Sequence, residues 1–150
     1  MATNEGVEVS QSPSATRSRP SPADQKAVAG LPARLVEVWA AHDADGFGEL
    51  FTEDGTLVLP GVYVAGRDEI AAFMRNAFEG PYKGTRVTGA PVNVRFLGPD
   101  VALLITEGGV IAAGRTELAD ADAIRASWLT VRTDGGWRLA AYQNSPRDAR

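Results

Sequence analysis

Residues 39–70 read WAAHDADGFGELFTEDGTLVLPGVYVAGRDEI and change hydrophobic period twice. Asp43 or Asp45 can cap a short helix that carries Phe47, Leu50 and Phe51 inward, because a side-chain oxygen there satisfies an orphan amide of the first turn. Glu53-Asp54-Gly55 reads as a turn, 56–59 as a strand of apolar and β-branched residues, Pro60-Gly61 as a reversal and 62–64 as a second short strand. Gly66 then opens a helix over 67–78, with Asp68 and Glu69 favourably placed in its first turn. Ile70, Phe73, Met74, Ala77 and Phe78 form one apolar stripe at helical spacing, and Gly80-Pro81 stops it. Two helices thus bracket a short strand pair, and together they enclose an apolar space.

Upstream, Ser21-Pro22-Ala23-Asp24 is a helix start, with Ser at the N-cap, Pro at the first helical position and an acid in the first turn. Val28, Leu31, Leu35, Val38 and Trp39 continue this helix to about Ala41, and Pro32 predicts a kink or short break at 30–32. Residues 1–20 have no aromatic residue and are rich in Ser, Pro and Thr, which predicts a disordered tail. Glu5 and Glu8 and the lack of an apolar core argue against a signal peptide. The expected domain spans 21–147.

Downstream, the period becomes two. Strands are expected at about 85–97, 101–112, 123–133 and 136–144, the last pair joined by the tight-hairpin signal Asp134-Gly135-Gly136. Helices followed by an antiparallel meander imply an α+β fold with helices on one sheet face. Val101, Leu103 and Ile105 point one way, Ala102, Leu104 and Val110 the other. Both faces are apolar, which predicts a homodimer through the sheet.

Composition removes whole classes of chemistry. The chain has no cysteine and one histidine, His42, so disulfides, thiolate catalysis and multi-histidine metal sites are excluded within one chain, and no cofactor or metal is expected. A net charge of −4 carries no footprint for nucleic acid or an anionic membrane. No stretch approaches the ~18 apolar residues of a membrane-spanning helix, so a cytoplasmic, soluble protein is expected.

The segments WxxHDxDxFxxLFxEDG, GRDEI, GGW and the terminal QNSPR, in the order helix–helix–strand–helix–meander, resemble the nuclear transport factor 2-like superfamily and its SnoaL-like, SgcJ/EcaC branch. GPYKGTRVTG, TEGG and AAYQNSPR resemble the SgcJ-type proteins of enediyne antibiotic clusters. The resemblance covers about residues 23–147. It implies a cone-shaped, curved antiparallel or mixed sheet wrapped by about three N-terminal helices, a cystatin-like roll. It also implies a hydrophobic, polyketide-like ligand and a biosynthetic synthase as a further partner. Ketosteroid isomerases of this superfamily keep a catalytic aspartate on the strand after the acidic turn, just before a proline. Here that position is Leu59, ahead of Pro60.

Two functional readings follow: a binding protein for a polyene intermediate, or a cofactor-independent cyclase, isomerase or dehydratase. The second needs a carboxylate, and Glu107 is the acid inside a predicted strand. Facing the cone it would be a general acid or base; facing out it would pair with Arg95 or Arg125. His42 is the second catalytic candidate, with a structural role at a helix end as its alternative. Asp54 beside Glu53 is either an acid pair or a solvated turn fixed by Arg67. Trp39, Phe51, Tyr63, Phe73, Tyr82, Trp128 and Tyr142 are candidate ligand contacts for a flat molecule, and Trp137 is expected to pack the sheet end. Arg125 is a candidate carboxylate or enolate partner, with an exposed or dimer-interface role as its alternative. Gln143 and Asn144 point to opposite faces, so one of them reaches the cavity.

Overall fold

The computed structural model describes residues 19–148. The expected tail lies almost wholly outside them. The N-terminal helix breaks where Pro32 predicts, into α1 (Pro22–Ala29) and α2 (Leu31–Ala40) around Gly30. Ser21 forms the expected capping box, its hydroxyl accepting from the Asp24 amide at 3.0 Å and its own amide donating to the Asp24 carboxylate at 3.2 Å. Asp43 caps α3 (Ala44–Gly48) through the Gly46 amide. Then come β1 (Phe51–Leu59), β2 (Val62–Ala65), α4 (Arg67–Phe78), β3 (Arg86–Gly98), β4 (Val101–Ile111), β5 (Ala123–Thr133) and β6 (Gly136–Pro146).

The six strands form one sheet in the order β2-β1-β6-β5-β4-β3. All neighbours are antiparallel except β1 and β6, whose parallel pairing sets Leu57 beside Tyr142. Register shifts in β3 and between β5 and β6 curl the sheet, as an extra residue on one strand increases local twist. The core fills the concave side, where Leu57, Ile70, Met74, Leu104 and Leu139 are almost fully buried.

Residues 53–55 are not a turn, as their composition implies, but part of β1 at an irregularity between Phe51 and Thr56. The strand continues because Gly55 passes close to the Leu139 carbonyl and the Phe51 ring, at 3.0 and 3.1 Å from where a Cβ would stand. Arg67 does not fix the acidic pair either. Its guanidinium donates twice to the Phe51 carbonyl, at 3.0 and 2.7 Å.

The far end of the sheet is tied to α1 by charge. Arg132 on β5 grips the Asp24 carboxylate through two bonds of 2.8 Å, bonds Asp100 at 2.8 Å, and lies 4.9 Å over the Trp137 ring. Trp137 donates to Asp24 at 3.2 Å and meets Phe96 edge-on, so it packs the sheet end as expected. The Arg132 guanidinium, then the Trp137 indole and the Ser21 amide, hold the Asp24 carboxyl well below the usual carboxylate range. A depressed folded pKa gives stability that is fully present above the unfolded value of about 3.9 and is lost as pH falls through the folded one. Asp24→Asn is therefore expected to melt below the wild type by a constant margin from pH 5 to 8, with the two curves converging below about pH 4. A margin independent of pH down to 2 would remove the ion pair from the stability of this end.

Candidate functional site

A narrow chamber of about 80 Å³ runs between α2, the loop after α4 and the concave sheet face, and an open mouth of about 510 Å³ shares Leu59, Tyr82, Val110, Ile124 and Asn144 with it. Together the two fall within the size range of small-molecule sites, roughly 300–1,000 Å³. Its walls come from Leu35 and Trp39 on α2, Phe47 on α3, Leu57 and Leu59 on β1, Met74 on α4, Tyr82 on the loop, Thr106 and Val110 on β4, Ile124 and Trp128 on β5, and Tyr142 and Asn144 on β6. Lys83 and Asp122 flank the mouth. Among the described residues, no Asp, Glu, His, Lys or Arg lines the chamber itself.

Both indole N–H groups of the chamber are already satisfied by protein. Trp128 donates to the Thr106 hydroxyl at 2.9 Å, and Trp39 to the Thr85 hydroxyl at 3.0 Å. The Thr85 hydroxyl, in a side chain 6% exposed, donates in turn to the Tyr82 carbonyl at 2.6 Å. The rings therefore offer the cavity their apolar faces, and Trp128 meets Tyr142 edge-on at 5.2 Å.

His42 belongs to this scaffold and not to the cavity. It holds φ 51 at the end of α2, where its amide bonds the Trp39 carbonyl at 2.8 Å and the Asp43 amide bonds the Val38 carbonyl at 2.9 Å. That is a Schellman closure with histidine in the left-handed position. Its ring stacks on Phe78 at 4.8 Å, and Nε2–H donates to the Thr85 carbonyl at 3.1 Å. His42 and Trp39 thereby anchor the loop that carries Tyr82.

Glu107 does not face the cone. It sits on the convex face, where the Arg125 guanidinium binds it at 2.6 and 2.9 Å, with 37% of the Glu107 side chain and 48% of the Arg125 side chain exposed. Alternation decides this: Ala102, Leu104 and Thr106 are buried against the helices, so Glu107 shares the opposite face with Leu103 and Ile105. Arg125 is excluded from the chamber for the same reason. Of the expected ligand contacts, Trp39, Tyr82, Trp128 and Tyr142 line the chamber. Phe51 is fully buried core, Phe73 packs half-buried against that core, and Tyr63 is 70% exposed on β2. Of the terminal pair Asn144 reaches the cavity, while Gln143 lies exposed on the convex side. Thr85 and Thr106 escaped the sequence reading. For Thr106 the signal was its alternation with Ala102 and Leu104; for Thr85 there was none.

The polar end of the chamber consists of Tyr82, Tyr142 and Asn144. The Asn144 amide donates to the Tyr142 hydroxyl at 3.1 Å. Burial pushes both phenols above their ordinary pKa, so both remain protonated at neutral pH.

A profile of the SnoaL-like domain matches residues 21–143. The chain belongs to the SnoaL-like family. Its fold is that of nuclear transport factor 2-like proteins with the cystatin-like roll. A domain of unknown function with a cystatin-like fold from Nostoc punctiforme PCC 73102 shares 28% identity over 86% of this chain and 80% of that one, with a TM-score of 0.80. A nuclear transport factor 2-like protein from Novosphingobium aromaticivorans shares 25% identity over 85% of this chain and 84% of the other, with a TM-score of 0.73. A ketosteroid isomerase-like protein from Erwinia carotovora atroseptica, 17% identical over 86% of this chain and all of its own, shares the fold at a TM-score of 0.67. No protein of curated function matches the chain. As a SnoaL-like domain it has no helix, among the described residues, long and apolar enough to cross a membrane. Nor do those residues bring together three or more His, Asp or Glu side chains suited to a metal ion.

Proposed function

We propose that this SnoaL-like protein binds an uncharged, largely apolar small molecule and shelters it without changing it, in natural-product biosynthesis. The observation that carries this is the chamber wall itself, which among the described residues holds aromatic, aliphatic and neutral polar side chains and no carboxylate or imidazole to move a proton. The acid–base alternative loses its candidate base with Glu107 on the convex face, and Leu59 stands where an isomerase keeps its aspartate. The ligand class is a polyene intermediate of enediyne assembly. Support comes from the segments that carry that resemblance: GPYKGTRVTG holds Tyr82, Lys83 and Thr85, and AAYQNSPR holds Tyr142 and Asn144, the polar end of the cavity.

Native mass spectrometry of the protein mixed with a polyene extract tests this. A non-covalent adduct of unchanged ligand mass is expected. A shifted ligand mass would overturn the sheltering role in favour of catalysis. Glu107→Gln is expected to leave ligand affinity unchanged and to cost at most about 1 kcal/mol, the upper end for an exposed ion pair.

We also propose that the convex face meets a second copy of the chain. Val101, Leu103, Ile105, Leu129 and Val131 form a half-buried apolar strip there, Leu103 directly opposite Leu129. Light scattering is expected to return twice the 15.8 kDa chain mass, and Leu103→Glu to return one. A monomer in the wild type would refute this arrangement.

A further inference from the structure

We propose that the Tyr142 hydroxyl is a hydrogen-bond donor for a ligand carbonyl, which makes the preferred ligand a neutral, flat ketone or enone. The inference rests on the binding role above and adds the chemical group that is recognised. Asn144 places its amide N–H on a lone pair of the Tyr142 oxygen. The phenol proton is thereby directed away from Asn144, and among the described residues it meets no acceptor. Tyr142 lines the chamber, and burial is the leading cause of its raised pKa. Tyr142 is half-buried, and a donor facing the chamber without an acceptor costs free energy until a carbonyl oxygen enters to accept from it.

Three features select the ligand. The Trp39 and Trp128 N–H groups are spent on Thr85 and Thr106, so those two rings offer a flat ligand only their apolar faces. With no cation among the described residues that line the chamber, a carboxylate or phosphate entering it would be desolvated without a partner. Tyr82, the second phenol of the cavity, is kept protonated at neutral pH by burial, as Tyr142 is. Both therefore serve as neutral donors.

Two probes of matched shape separate recognition from simple burial: 2-acetylnaphthalene, with a carbonyl, and 2-isopropenylnaphthalene, with a methylene in its place. The wild type is expected to bind the ketone about three- to tenfold more tightly, the worth of one neutral hydrogen bond. The infrared C=O stretch of the bound ketone is expected to lie lower than in an apolar solvent. In Tyr142→Phe both the preference and the infrared shift disappear, while the alkene still binds, which shows that the variant is folded. Equal affinities in the wild type, or a shift that survives Tyr142→Phe, would overturn carbonyl recognition and leave the binding role standing. Binding of neither probe would overturn both.

Discussion

Replacing Gly108 by alanine is expected to cost about 3 kcal/mol or more, the upper end for overpacking, and with it roughly 6–12 °C in Tm. A Cβ at Gly108 would fall on the Thr88 carbonyl oxygen and stand 2.6 Å from the Gly89 Cα and 2.7 Å from the Thr88 carbonyl carbon. These are backbone atoms of β3, so no rotamer change relieves the clash, and the β3–β4 ladder must open. Gly89, directly opposite, is the control. Its Cβ would meet only the Glu107 carbonyl at 3.8 Å, an ordinary contact, so Gly89→Ala is expected to stay within about 0.5 kcal/mol of the wild type. Thermal melts of the two variants decide it, and equal Tm values would refute the close approach.

Trp128→Ala is expected to cost about 3–5 kcal/mol, as deletion of a buried aromatic ring leaves a void its neighbours fill only in part. Trp128 is 4% exposed, closes one wall of the chamber and holds the buried Thr106 hydroxyl. Affinity for a flat ligand should fall about two- to tenfold from the lost ring contact. Trp128→Phe separates packing from hydrogen bonding. It keeps a ring but leaves Thr106 without its donor, at about 1–3 kcal/mol. Adding Thr106→Val removes the stranded hydroxyl and should recover most of that loss. If the single and double variants unfold at the same denaturant concentration, the Trp128–Thr106 bond contributes nothing to the fold.

Much of this architecture is legible in the sequence. Ser21, Pro22 and Asp24 announced α1, Pro32 its break, the stripe from Ile70 to Phe78 the α4 helix, and the change of period the four-strand meander. The acidic Glu53-Asp54-Gly55 was misread because its local composition is that of a turn. Pairing with β6 and the close passage of Gly55 past Leu139 override that preference and keep the segment extended. Phe51 and Tyr63 were misread for a different reason. An aromatic residue carries the same apolar signal whether it ends in the core, the cavity or solvent.

The site was half legible. Alternation separates Leu103 and Ile105 from Ala102 and Leu104, and Gln143 from Asn144, because the side-chain period of a strand is two, and it leaves the direction of Glu107 open. It could not say which face the helices would cover, since both faces of β4 are apolar. Only the packing of α2 and α4 made Ala102, Leu104 and Thr106 the inner set, and so sent Glu107 out to Arg125 and brought Asn144 in to Tyr142. The Asp24–Arg132 and Trp39–Thr85 contacts join residues 108 and 46 positions apart, distances at which no local pattern carries information. The sequence by itself determined the helices, the strands, their order and the absence of thiol chemistry, all of which follow from local periodicity and composition. The tertiary structure alone decided which face is the inside, and therefore that the cavity offers phenols and an amide where an isomerase would offer a carboxylate.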